Sequence, residues 1–243
     1  MTIRRIGLLL FGILGGVLVA TGLYISAESS IQTSPPPMAV TKPTQPTNPK
    51  QAEPISLPVS ISGTALMAME LSAYEGPFLE DGSDREVVDI AALVVYNAGS
   101  REIKAAQITL QYPDGLYHFY GENLPAGGTV VLLEQNARVF RRDTILGCTG
   151  WQMTDSSNSI TGEQITLTEN ENDGLSIKNL TDRPLHNIHI YYKSWLSPPD
   201  YYMGGISYCL VIPSLWPGQE MALYPGHYAA GYTKVVSVTA DSQ

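Results

Sequence analysis

One stretch of this chain is written twice. Ala91 to Tyr112 reads AALVVYNAGSREIKAAQITLQY, and Asp173 to Lys193 reads DGLSIKNLTDRPLHNIHIYYK. Setting Asn97 on Asn179 also places Ile103 on Leu185, Ile108 on Ile190 and Leu110 on Tyr192. Both copies then read as strand, polar turn, strand. Further on, LPAGGTVVLLE answers LWPGQEMALYP with Gly127 on Gly218, and ILGCTG answers VVSVTA with Cys148 on Val238 and Thr149 on Thr239. Three blocks in the same order, at nearly constant spacing, imply a duplicated unit rather than chance.

Residue choice says what the unit is made of. The chain holds 14 Tyr and 22 Gly, with abundant Thr and Ser and no long Ala/Leu/Glu/Lys runs, so strands are expected over helices. EVVDIAALVVY is a long, nearly continuous apolar run of the kind buried in the middle of a sandwich. Asn-Ala-Gly-Ser, Pro-Asp-Gly and Leu-Pro-Ala-Gly-Gly supply turn chemistry between the other apolar segments. About seven short strands per ~90 residues, with turn signals every 8–12, is the immunoglobulin-like pattern. The expectation is an all-β protein with two tandem Ig-like sandwiches, residues 59–153 and 160–243.

Ahead of them, Arg4 and Arg5 precede the apolar run IGLLLFGILGGVLVATGLYI, residues 6–25. At ~1.5 Å per residue it matches a bilayer core of about 30 Å. Residues 1–27 therefore read as a membrane anchor or a signal segment; bulky Ile25 lies two positions before the only fair cleavage site, after Ala27. Arginines on the short side place the remainder outside the cytoplasm. Residues 28–58, rich in Pro, Thr, Ser and Gln, read as a disordered extended spacer. A net charge of −9 from 14 Lys/Arg against 23 Asp/Glu sets the chain against nucleic acid and against peripheral docking on anionic lipid.

The Asn-x-[Gly/Thr]-x-Arg turn between two strands, followed by a Leu-x-(Pro/Gly) turn into a last hairpin, resembles the small Ig-like, FxLYD-type modules of membrane-anchored bacterial envelope proteins. That resemblance implies spacers or binders outside an N-terminal anchor, and none of its signature is catalytic.

Candidate chemistry is sparse. His186 and His189 form an HxxH, but alternation on a strand sends residues three apart to opposite faces, away from a shared metal ion. His118 and His227 have no ligand-spaced neighbours, and all four read as surface or edge histidines. Cys148 and Cys209 are the only cysteines; they read either as a disulfide across the two domains or as two small buried thiols. The acidic turns Glu80, Asp81, Asp84, Glu86 and Glu169, Glu171, Asp173 offer oxygen ligands for calcium, or are simply solvated. No GxSxG, P-loop or HExxH occurs, and paired carboxylates lie only in turns, without apolar surroundings. No catalytic residue, metal or cofactor is expected. Asn179-Leu180-Thr181 is a glycosylation sequon set where a turn is needed.

The copies differ by an aromatic insertion, YYKSWLSPPDYYMGG. Trp195, Tyr201, Tyr202 and Met203 are the candidate contacts for an envelope protein or a glycan, because large amphipathic rings give contact area at low entropy cost. Covering the hydrophobic edge of their own domain, or the junction with the first domain, is the competing role for the same rings. The function these features suggest is a non-catalytic, anchored, extracytoplasmic protein that binds or spaces at the cell envelope; the alternative is a secreted enzyme or an enzyme's glycan-binding accessory module.

Overall fold

The computed structural model describes residues 54–83, 85–154, 163–170 and 173–241. The expected anchor, and the spacer as far as residue 53, lie outside these. Among the described residues the fold is all-β, with one short 3-10 turn at Leu79–Asp81 and no helix long and apolar enough to cross a membrane.

The first half contributes β1 (Val59–Ser60), β2 (Leu66–Pro77), β3 (Glu86–Asn97), β4 (Ile103–Tyr112), β5 (Gly115–Leu124), β6 (Thr129–Leu133) and β7 (Gly147–Thr154). The second contributes β8 (Ile165–Asn170), β9 (Gly174–Asn179), β10 (Leu185–Leu196), β11 (Tyr201–Leu215), β12 (Glu220–Leu223) and β13 (Thr233–Asp241). One layer of the first half runs β2-β3-β6 and the other β5-β4-β7. The second half repeats the order, as β8-β9-β12 and β11-β10-β13. Each pair of layers closes on its own core, with Leu93, Ile108, Phe119 and Leu132 buried in one and Ile177, Ile188, Ile190 and Leu215 in the other.

The duplication extends to single hydrogen bonds. Asn97 Nδ2 donates to the carbonyls of Arg101 (2.9 Å) and Leu124 (3.1 Å), while its Oδ1 accepts from Gly99 N–H (3.0 Å). Asn179 Nδ2 donates to Arg183 (2.9 Å) and Leu215 (2.9 Å), and its Oδ1 accepts from Thr181 N–H (2.9 Å). The carbonyls of Asn97 and Asn179 accept from Gly127 (2.9 Å) and Gly218 (3.0 Å). Both side chains are buried, and the Asn179 amide is spent on two carbonyls, so in the folded protein it is turn chemistry and no glycan acceptor. Removing either amide orphans one buried carbonyl, of Leu124 or of Leu215, at ~1–3 kcal/mol, and also releases the turn that Arg101 or Arg183 closes. Asn97→Ala and Asn179→Ala are each expected to lose about 3 kcal/mol in urea unfolding, by similar amounts; a cost under about 1 kcal/mol for either would refute their common role.

The matched register holds for most of the chain and fails in the last strand. Ile103 faces Leu124 where Leu185 faces Leu215, and Leu110 faces Tyr117 where Tyr192 faces Tyr208. On the closing strand, however, Leu110 faces Cys148 whereas Tyr192 faces Val235. Cys148 therefore corresponds to Val235 and not to Val238, and Thr149 does not correspond to Thr239. The β10–β13 ladder slips between His186 and His189 and again between Tyr191 and Tyr192, and a slip changes which residues are opposite without changing the apolar pattern.

Three further expectations are corrected. Ile55, read as spacer, donates its N–H to Ile145 (2.8 Å) and packs with Leu57 on the first core, so the folded part begins before residue 58. Neither cysteine is bridged, and Cys209 is exposed rather than buried. Strand alternation breaks within the HxxH segment: Asn187 carries φ 47°, and Leu185 and Ile188, three apart, are both buried.

Two joins make the halves one compact unit. β6 pairs in parallel with β11, Tyr202 opposite Val130 and Met203 opposite Val131, which fuses β1-β2-β3-β6 and β11-β10-β13 into a single seven-stranded sheet. A third core then covers the other face of β3, where Ile90, Ala92 and Val94 meet Phe78, Val131, Tyr201 and Met203. This explains the continuous apolar run of β3: Ala91, Leu93 and Val95 face the first core while their neighbours face the junction.

Candidate functional site

The aromatic insertion is the end of β10, a tight return and the start of β11. Leu196 pairs with Tyr201 and Trp195 with Tyr202, and Ser197 Oγ donates to Asp200 Oδ1 (2.6 Å) in the turn between them. The Trp195 and Tyr202 rings meet edge to face at 4.7 Å. The Lys234 ammonium stands 3.4 Å from the centre of the Trp195 ring, a cation–π contact. All four expected contact residues are half-buried. Tyr202 packs on the core of the first half, and Tyr201 and Met203 on the junction core. The structure thus divides the four between two faces: Trp195 meets Tyr202 on one, Tyr201 and Met203 turn to the junction core on the other, and all but Trp195 pack between the halves.

Two ionisable groups lie beneath them. Glu80, on the 3-10 turn of the first half, accepts from the N–H of Leu133 (2.7 Å) and, with both oxygens, from that of Gly205 (2.9 and 2.7 Å). The residue is half-buried, and its carboxylate oxygens face these backbone donors. Lys193, on β10, is 0% exposed. Its Nζ donates to the carbonyls of Gly204 (3.1 Å), Gly205 (2.8 Å) and Ile206 (2.6 Å). Gly205 therefore stands between the two charges, offering its N–H to one and its C=O to the other.

Burial pushes the Glu80 carboxyl up to about 7, against the pull of the backbone donors and the Lys193 charge. Burial pushes the Lys193 ammonium down to about 7, opposed by Glu80 and Glu122. Desolvation thus outweighs mutual attraction at both groups. Held by backbone hydrogen bonds, the two groups fix the start of β11; Lys193 is fully enclosed and Glu80 only partly.

A second polar contact joins the halves farther along. The Lys104 ammonium lies 3.1 Å from Glu102 and 3.3 Å from both Asn123 of β5 and Ser237 of β13. It also sits 5.2 Å from the centre of the Tyr191 ring.

The remaining candidates are dispersed. Asp81 is occupied by Ser83 and Arg85, and the Ser83 hydrogen bonds hold its carboxyl below the usual range. Glu169 accepts from Tyr228 Oη (2.7 Å) and Asp173 from Ala230 N–H (3.0 Å). Asp84 and Glu171 lie outside the described residues. Among the described residues no three His, Cys, Asp or Glu gather as for a metal ion. His227 stacks on Tyr208 at 4.6 Å, and His118 and His189 share hydrogen bonds with Thr109 and Tyr191.

Glu80 and Lys193 escaped the sequence reading, which took Glu80 as a solvated turn acid and passed over Lys193. One signal was available: a lone lysine between IHIYY and SW, in a strand whose following hairpin ends in Gly-Gly. No protein-family model matches this chain, and no curated protein matches it.

Proposed function

We propose that the chain is a non-catalytic, membrane-anchored, extracytoplasmic protein that presents two tandem Ig-like sandwiches as one rigid body, for binding or spacing at the cell envelope. The observation that supports rigidity is the junction, where a shared sheet, a third apolar core and the buried Glu80–Gly205–Lys193 arrangement tie the halves. Independent modules joined by a flexible hinge would not bury apolar surface and two charges between them. The anchor is residues 6–25 and the spacer runs from residue 28. The contact surface for an envelope protein or glycan is the outer rim of Trp195, Tyr201, Tyr202 and Met203.

Fractionation of cells expressing the full chain tests the anchoring. It should sediment with membranes, and external protease should remove its C-terminal part from intact cells; recovery as a soluble cytoplasmic protein overturns the reading. A glycan and protein-fragment screen tests the contact surface. Trp195→Ala with Tyr202→Ala is expected to lose binding and, because both rings pack half-buried, about 2–4 kcal/mol of stability. Binding equal to that of the unaltered chain removes this rim from consideration.

A further inference from the structure

A cavity of about 310 Å³ opens on the first half, far in sequence from the aromatic insertion, with walls of Leu57, Leu71, Tyr112, Phe140 and Ile145. Its size is at the lower end of small-ligand sites, and its lining is mixed, apolar and aromatic side chains on one side and Arg141, Arg142 and Asp143 on the other. The rim differs from the rest of the molecule. Arg138, Arg141 and Arg142 gather three cations in one short segment of a chain whose net charge is −9. Two are committed to Asp114, Arg138 at 3.9 Å and Arg141 at 3.1 Å. Arg142 and Asp143, both at the cavity edge and both exposed, have no ion-pair partner among the described residues. Burial raises the Tyr112 phenol in the wall to about 12, and Tyr117, Asp143 and Asp114 add to it.

A hollow with apolar walls on one side and, on the other, one unpaired guanidinium and one unpaired carboxylate is complementary to a molecule with an apolar body and both charges at one end. We propose that this cavity is a binding site for a small apolar zwitterion of the α-amino-acid class, its carboxylate on Arg142, its ammonium on Asp143 and its side chain against Leu57, Leu71 and Phe140. Arginine suits the carboxylate because its planar fork can donate two parallel hydrogen bonds. This site goes beyond the function proposed above and does not depend on where the chain resides.

Titration calorimetry and ligand-observed NMR on the full chain test it with three probes of one shape: phenylalanine, 3-phenylpropanoate and 2-phenylethylamine. Phenylalanine should bind at or below about 1 mM, the range for a ligand of this size, and more tightly than either singly charged probe. Arg142→Gln should weaken phenylalanine and 3-phenylpropanoate three- to fivefold, the worth of an exposed ion pair. Asp143→Asn should weaken phenylalanine by a similar factor and leave 3-phenylpropanoate unchanged or tighter. Both altered side chains are exposed, so both variants should fold, and unchanged melting would confirm it. Absence of saturable binding by all three probes overturns the site. Equal binding of phenylalanine and 3-phenylpropanoate, with no effect of Asp143→Asn, overturns the zwitterion.

Discussion

Lys193→Met is expected to cost about 3–5 kcal/mol, the usual penalty for removing one member of a buried charge pair. The methionine fills the volume of the lysine stem, but the carbonyls of Gly204, Gly205 and Ile206 lose their shared donor and Glu80 loses the nearest positive charge. Combining it with Glu80→Gln should cost less than the two single changes summed, because the glutamine carbonyl still accepts from Leu133 and Gly205 and no lone charge is left inside. A coupling energy of about 1–3 kcal/mol is expected from the double-mutant cycle; additive costs would show that the two groups do not sense each other. The pH dependence has a definite sign. The Glu80 value is raised from 4.5 to about 7, so the stability it contributes is full below 4.5 and is lost as pH rises through about 7. The Lys193 value is lowered from 10.5 to about 7, so its contribution is full above 10.5 and is lost as pH falls through about 7. Both losses meet near neutrality. Unfolding free energy of the unaltered protein, minus that of the double variant, should therefore pass through a minimum near pH 7. A difference independent of pH would mean that neither group titrates inside the folded protein.

How much of this was legible depended on the range over which each feature is determined. Asn97 and Asn179 were legible because their bonds run to a turn four residues on and to a strand fixed by the Leu-x-(Pro/Gly) turn, all inside one copy of the repeat. The succession of strands along the chain followed from the same local signals, and their order within the sheets did not. The closing register was not, because the slips on β10 leave the apolar alternation of VVSVTA intact while moving its partners. Alternation also breaks between His186 and His189, at the positive φ of Asn187, which interrupts the period on which the inference rested. Composition placed Ile55 in the spacer, since prolines surround it, yet a bond to Ile145 anchors it. Glu80 was illegible for another reason. In its own neighbourhood it is a turn acid like Asp81; what encloses it is Gly205, 125 residues away in the other half. The aromatic insertion was legible as the difference between the copies. Its packing partners were not, because both sides of the junction read as ordinary strand in a chain taken one repeat at a time.

Gly205→Ala should be the most damaging single methyl group in the junction. A Cβ at this position would fall 1.9 Å from the Tyr120 carbonyl oxygen and 2.7 Å from Glu80 Oε2. The first contact is with backbone of β5, so relief requires the sheet of the first half or the start of β11 to move as a body, which also stretches the Gly205 bonds to Glu80 and Lys193. Overpacking a tight site costs ~1–3 kcal/mol and occasionally more; with these bonds strained as well, a loss of about 3 kcal/mol or more is expected. Two controls separate this from general sensitivity to lost glycine. Gly226→Ala meets nothing within 4 Å and has no positive φ, so it should change stability by less than about 0.5 kcal/mol. Gly218→Ala also meets nothing but carries φ 71°, so it should cost about 1 kcal/mol through backbone strain alone. Thermal melts of the three variants would rank them, and small-angle scattering would show whether Gly205→Ala adds length or hinge motion between the halves. If Gly205→Ala melts with Gly226→Ala and scatters like the unaltered protein, Tyr120 and Gly205 do not approach in solution and the halves are not held by this contact.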